Sequence, residues 1–104
     1  MLNSHHSFVN YVISSAKAKI KGYCGTLLVD VLYNVQGNAV VVVWSNYTTS
    51  QVENYTFPTV GAEDFCERTN NGEDFSQEAE GLINTIFAYM VAVESQQTGR
   101  PLVI

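Results

Sequence analysis

The chain has 104 residues, of which 46% are apolar and only 14% charged, and it carries a net charge of −5. That length suits a single domain over residues 1–104. The acidic balance argues against a duplex-binding module, which needs a basic footprint, and the apolar fraction is too high for a disordered tail.

The first residues, Met1 to His6, lack the basic and apolar regions of a secretory signal. No apolar run approaches the ~20 residues of a membrane span. The expected compartment is therefore the cytosol, where Cys24 and Cys66 are expected as free, partly buried thiols.

Residues 4–21 are predicted as a helix. Phe8, Val12, Ala16 and Ile20 recur every four residues, with Val9 and Ile13 beside them. Lys17, Lys19 and Lys21 fall in the last turns, where cations suit the helix dipole, and Gly22 is placed as the stop.

Two Val-, Leu- and Tyr-rich segments, 26–35 and 39–48, flank Gln36-Gly37 and are predicted as a hairpin. A two-residue turn pairs Tyr33 with Val40, Val31 with Val42 and Val29 with Trp44. A second turn at Thr49-Ser50 pairs Trp44 with Tyr55 and Val42 with Phe57, and Pro58 ends the third strand. Both registers gather Leu27, Val29, Val31, Tyr33, Val40, Val42, Trp44, Tyr55 and Phe57 on one face. The opposite face, with Leu28, Asp30, Leu32, Val41, Val43, Ser45, Tyr47, Val52, Asn54 and Thr56, is half apolar, where a solvated face is mostly polar.

Residues 59–73 read as irregular or weakly helical, broken at Asn70-Asn71-Gly72. A helix over 75–97 follows, with Asp74 as N-cap, Gln77 as its capping-box partner, and Gly99 and Pro101 closing it. From Ile86 to Val93 it is apolar on every side, the pattern of a helix buried all round. The expected fold is α+β, in the order α-β-β-β-α, a three-stranded antiparallel meander with two helices packed on one face. One copy cannot easily hide both a half-apolar sheet face and an all-round apolar helix, so a homodimer is expected. Leu32, Val41, Val43, Tyr47 and Val52 are its candidate interface, or that of another partner.

Catalytic and cofactor chemistry finds little support. Cys24 sits between glycines, with His5 and His6 as conceivable bases, but it follows a helix C-terminus, the wrong end for a thiolate, and the histidines lie at a terminus expected to fray. No zinc spacing, calcium loop or phosphate-binding glycine loop occurs. No catalytic, metal or cofactor site is assigned. Trp44, Tyr55 and Tyr89 are conceivable walls of a small ligand pocket, but their spacing already accounts for them as core. An α-β-β-β-α order is also that of the double-stranded-RNA-binding domain, whose last helix begins at phosphates. Here that helix begins among carboxylates, so direct nucleic-acid binding is not expected.

Charge is the uneven property. Residues 1–52 carry +2 and residues 53–104 carry −7. Between 63 and 80 lie seven carboxylates, Glu63, Asp64, Glu67, Glu73, Asp74, Glu78 and Glu80, against Arg68 alone. Such a block either solvates an apolar protein or steers it onto a basic partner. In size, charge sign and lack of catalytic motifs the chain is similar to small acidic inhibitors of phages and mobile elements, anti-CRISPR proteins among them. The expectation is a non-catalytic module that docks this acidic surface on a basic groove of a nucleic-acid-handling protein complex. A self-associating structural or assembly subunit is the alternative, and a small ligand-binding or Cys-dependent enzyme domain stands third.

Overall fold

A computed structural model describes residues 2–24 and 27–99, and of Cys24 the backbone only. Gly25, Thr26 and the expected helix terminator Pro101 lie outside the described residues. The elements run α1 (His5–Cys24), β1 (Leu28–Asn34), β2 (Ala39–Asn46), β3 (Gln51–Pro58), α2 (Ala62–Asn70) and α3 (Ser76–Thr98). This is an α+β fold around an antiparallel sheet in the order β1-β2-β3. A short third helix, α2, forms in the segment expected to be irregular or weakly helical, and it ends at the expected breaker Asn70-Asn71-Gly72.

The Ser4 hydroxyl starts α1 by accepting the Ser7 N–H at 3.1 Å, while the Ser4 carbonyl accepts that of Phe8. The predicted stripe is correct, since Phe8, Val12, Ala16 and Ile20 are all fully buried. Gly22 does not stop the helix, which runs on to Cys24. The lysines consequently do more than complement a dipole. Lys17 reaches Asp30 of β1 at 2.7 Å. Lys19 donates to Asn84 of α3 at 2.7 Å and lies 4.8 Å above the Phe87 ring.

The first hairpin has the expected register from Val31–Val42 to Tyr33–Val40. It departs at Val29. A bulge between Leu28 and Asp30 pairs Leu28 with Trp44 and Asp30 with Val43. Val29 is thus not a core residue but 52% exposed, and Leu28 packs against the core instead of lying on the outer face. The extra residue changes the strand's phase, so a strict two-residue alternation misassigns both side chains.

The second hairpin is offset by two residues from expectation. Val42 pairs with Tyr55, Val40 with Phe57 and Trp44 with Glu53. The cause is the turn, where the Asn46 side chain accepts the N–H groups of Thr48 and Thr49 and Ser50 adopts a positive φ of 62°. Residues 47–50 therefore form the connection, and Tyr47 belongs to it rather than to a strand face. A slip of two preserves which face each side chain occupies, so the predicted faces survive the wrong pairs.

In α3, Phe75 is the N-cap, and Asp74 sits one residue outside. Its carboxylate still accepts the Ser76 N–H at 3.1 Å and the Ser76 hydroxyl at 2.9 Å, doing a cap's work from that position. Gly99 closes the helix in the left-handed conformation, with φ 74°. The apolar stretch of α3 is largely hidden within one chain. Ile86, Met90, Val91 and Val93 are buried, and Phe87 and Tyr89 pack against the core. Of the two apolar excesses noted above, only the outer sheet face remains.

The core lies between the inner sheet face and the α1–α3 pair. At one end Phe8, Phe65 and Phe75 pack ring against ring, with Phe65 and Phe75 stacked at 4.5 Å. At the other, Tyr89 stacks on Tyr55 at 4.7 Å and meets Phe57 edge-on. The body is thin, measuring 46 × 27 × 15 Å. Its radius of gyration is 14.7 Å, against ~13 Å for a compact domain of 100 residues.

Candidate functional site

Three of the seven carboxylates, Asp64, Glu73 and Glu78, converge on Arg68. The Arg68 guanidinium lies 2.9 Å from Glu73, 3.6 Å from Asp64 and 3.9 Å from Glu78, and it stacks over the Phe75 ring at 4.7 Å. Hydrogen bonds to Glu73 raise its pKa. The N-terminal turn of α2, the loop after it and the start of α3 are thereby gathered at one end of the molecule. Glu80 points away from Glu78, as their two-residue separation requires, and accepts a hydrogen bond from the Tyr11 hydroxyl of α1. That bond raises the Tyr11 pKa. Asp74 is held below its ordinary value by its bonds to Ser76.

Glu63 and Glu67 stand differently. They are exposed, one helical turn apart on the same flank of α2, and no cation faces either among the described residues. Like charges at this spacing cost a helix a few tenths of a kcal/mol. The acidic end thus has an inner part, satisfied by Arg68, Ser76 and Tyr11, and an outer part, Glu63 and Glu67, with no side-chain counter-charge among the described residues.

The outer sheet face forms the second surface. Leu32 sits beside Val41, and Val41 beside Thr56; Asp30, Val43 and Asn54 make the next row, and Ser45 and Val52 the last. Leu32 and Val52 are exposed, Val41 and Val43 half-buried. Four of the five proposed interface residues therefore share this face. Tyr47 does not. It lies in the turn, where its N–H donates to the Gln97 side chain at 2.8 Å, and its ring is exposed.

The two edges of the sheet differ. Along β1 the bulge at Val29 interrupts the ladder, and the Asp30 carboxylate accepts the Val31 N–H at 2.8 Å and meets Lys17. The Lys17 bond, helped by that amide, holds the Asp30 pKa down. Along β3 pairing to β2 is regular for eight residues. Among the described residues the only β3 amide taken by a side chain is that of Gln51.

The groups considered for chemistry are also placed. His5 is not frayed: its Nε2 lies 3.0 Å from the Val60 carbonyl, and its ring packs edge-on to Tyr33 and Phe65. Donation to that carbonyl puts the proton on Nε2. Burial raises the Tyr33 pKa, keeping its hydroxyl a donor, here to Asn38 at 3.3 Å. Cys66 is a free, exposed thiol rather than a buried one. It lines a shallow groove of about 240 Å³ together with His5 and Asn70, where the Asn70 amide approaches its Sγ at 3.8 Å and no Cys–His hydrogen bond is formed. Trp44 bonds to Tyr89 between sheet and helix, and Tyr55 stacks on Tyr89 but is half exposed rather than the core residue its spacing suggested. No group of three potential metal ligands occurs among the described residues, and no described helix is long and apolar enough to cross a membrane.

Compared with known families, curated proteins and solved structures, the chain matches none. Sequence reasoning missed Arg68 as the organiser of the acidic end and the contrast between the sheet edges. A signal for the first existed: Asp64 stands four residues before Arg68 on α2. The second depends on a bulge, which no spacing in the sequence announces.

Proposed function

We propose that this chain is a small, non-catalytic protein-binding module whose acidic end docks on a basic surface of a partner protein, in the manner of an inhibitor of a nucleic-acid-handling complex. The observation that carries this reading is the uncompensated pair Glu63 and Glu67 beside an Arg68 already engaged by three carboxylates. Glu63 suits the positive end of the α2 dipole, but Glu67 lies a turn further on and repels it, and a basic groove converts that repulsion into attraction. Direct contact with nucleic acid is disfavoured, because the start of α3 presents Glu73, Asp74 and Glu78 where phosphates would sit. Work in the cytosol agrees with an exposed free thiol at Cys66.

The test is capture of partners from the native host with wild-type protein and with E63K/E67K, which leaves Asp64 and the Arg68 cluster intact. A basic partner retained by wild type, released by added salt and lost with E63K/E67K is the expected outcome. Equal capture by both proteins counts against the acidic surface.

Self-association is the second reading, favoured by the outer sheet face, where Leu32, Val41, Val43 and Val52 leave apolar surface uncovered. It is compatible with the first, since the acidic end and this face are separate surfaces.

A further inference from the structure

We infer that two copies of this chain join by antiparallel pairing of their β3 edges, forming one continuous six-stranded sheet. This deepens the self-association reading and does not depend on acidic docking.

The argument starts from backbone chemistry. An edge strand presents unpaired N–H and C=O groups, and proteins ordinarily block them with bulges, charges or proline. The β1 edge is blocked in this way by the Val29 bulge and the Lys17–Asp30 pair. Among the described residues the β3 edge has no bulge or proline before Pro58, and its one charge, Glu53, accepts a hydrogen bond from the Asn46 side chain of β2. Its sequence, Gln-Val-Glu-Asn-Tyr-Thr-Phe-Pro, is rich in strand-forming residues and carries one charge, Glu53. It also leaves apolar surface on both sides of the edge, with Val52 63% exposed on the outer face and Tyr55 51% exposed on the helix side. A further strand laid along β3 covers both.

Three observations favour a second copy as that strand. An antiparallel strand is its own complement about a two-fold axis, so one surface serves both partners. With one open edge among the described residues, assembly closes at two chains; two open edges would propagate. Charge also permits it. β3 leads from its Pro58 end into α2 and the acidic block, so antiparallel pairing puts the two blocks at opposite ends of the shared strand pair. Eight residues at ~3.3 Å each separate them by more than the ~8 Å screening length.

The geometry restricts the register. Paired residues must face the same side, so the two-fold passes through a residue rather than between two. An axis through Asn54 sets Val52 against Thr56 of the other copy and Glu53 against Tyr55. An axis through Tyr55 sets Tyr55 against itself. Either keeps the two Glu53 carboxylates from facing one another.

The test combines mass with cross-linking. Light scattering on wild-type protein should give about 23 kDa, twice the 11.5 kDa of one chain. In a Cys24→Ser, Cys66→Ser background, Asn54→Cys and Tyr55→Cys are oxidised separately, since directly opposed residues lie ~4.5–5.5 Å apart at Cα, within disulfide reach. Near-complete covalent dimer from one of the two, with Leu32→Cys on the outer face remaining uncoupled, is the expected result. A monomer overturns both this inference and the self-association reading. A 23 kDa species that neither β3 cysteine links overturns edge pairing alone and leaves association through the outer face. Circular dichroism of each variant confirms that the exposed substitutions leave the fold in place.

Discussion

The indole N–H of Trp44 donates to the hydroxyl of Tyr89 at 3.1 Å, joining the middle strand to the last helix, while the Tyr89 ring stacks on Tyr55 of β3. Tyr89→Phe keeps the ring and removes the acceptor, leaving a nearly buried indole N–H unsatisfied. The expected cost is about 1–3 kcal/mol. Tyr89→Ala also loses the stack and should cost more. Trp44 is the single tryptophan, so its fluorescence in a urea titration reads this site directly; a Tyr89→Phe midpoint equal to wild type would show that the bond adds nothing.

Stability should fall in acid through Asp30. Its folded pKa is depressed, chiefly by the Lys17 hydrogen bond with help from the Val31 amide. A depressed carboxylate contributes stability above its unfolded value of about 3.9, and that contribution is lost as pH falls through the lower folded value. Asp74 acts in the same direction through Ser76. Melting temperatures measured from pH 6 to pH 2 should drop less steeply in Asp30→Asn than in wild type, with the wild-type advantage confined to the upper part of that range. Parallel curves would remove Asp30 from the acid response.

Two turn positions should respond with opposite signs. Gly72 has φ 91°, a conformation costly for any residue with a Cβ, and Gly72→Ala should destabilise by about 1 kcal/mol. Ser50 already pays that cost at φ 62°, so Ser50→Gly should be neutral or stabilising despite the greater freedom of glycine when unfolded. Denaturant midpoints for the two variants check the pair together, and a stabilising Gly72→Ala would contradict the geometry.

Arg68 holds Asp64, Glu73 and Glu78 while lying over Phe75. Arg68→Gln should therefore lower the melting temperature, and the deficit should shrink as salt screens the freed carboxylates. Arg68→Lys keeps the charge but not the planar stack, so it should show a smaller and less salt-dependent loss. A salt-independent deficit in Arg68→Gln would mean that packing on Phe75 accounts for the whole effect.

Removing the ring of Phe65, the one buried residue of α2, should be the most damaging single change. Phe65→Ala opens the cluster with Phe8 and Phe75 and should cost about 3–5 kcal/mol. Loss of α2 alone, with α1, the sheet and α3 retained in hydrogen exchange, would show that this end opens independently.

What the sequence made legible follows from periodicity. The Phe8-Val12-Ala16-Ile20 stripe and the alternation through Val40, Val42 and Trp44 located α1, the strands and both sheet faces, because burial imposes those periods over several turns or residues. The elements that escaped are local events. Val29 adds one residue to β1 and reverses the phase before it. The Asn46 side chain widens the second turn and slides β3 by two. α2 buries a single aromatic side chain, too few to set a period. At the acidic end composition found all seven carboxylates, but not which of them Arg68, Ser76 and Tyr11 already satisfy, since that depends on contacts between separate elements.

A plate 46 Å long and 15 Å thick drags more solvent than a sphere of equal mass. Such a chain diffuses slowly and leaves a sizing column early, imitating a heavier particle before any association occurs. Counting copies from elution position would thus mistake shape for number, and for this protein molar mass has to be weighed by scattered light.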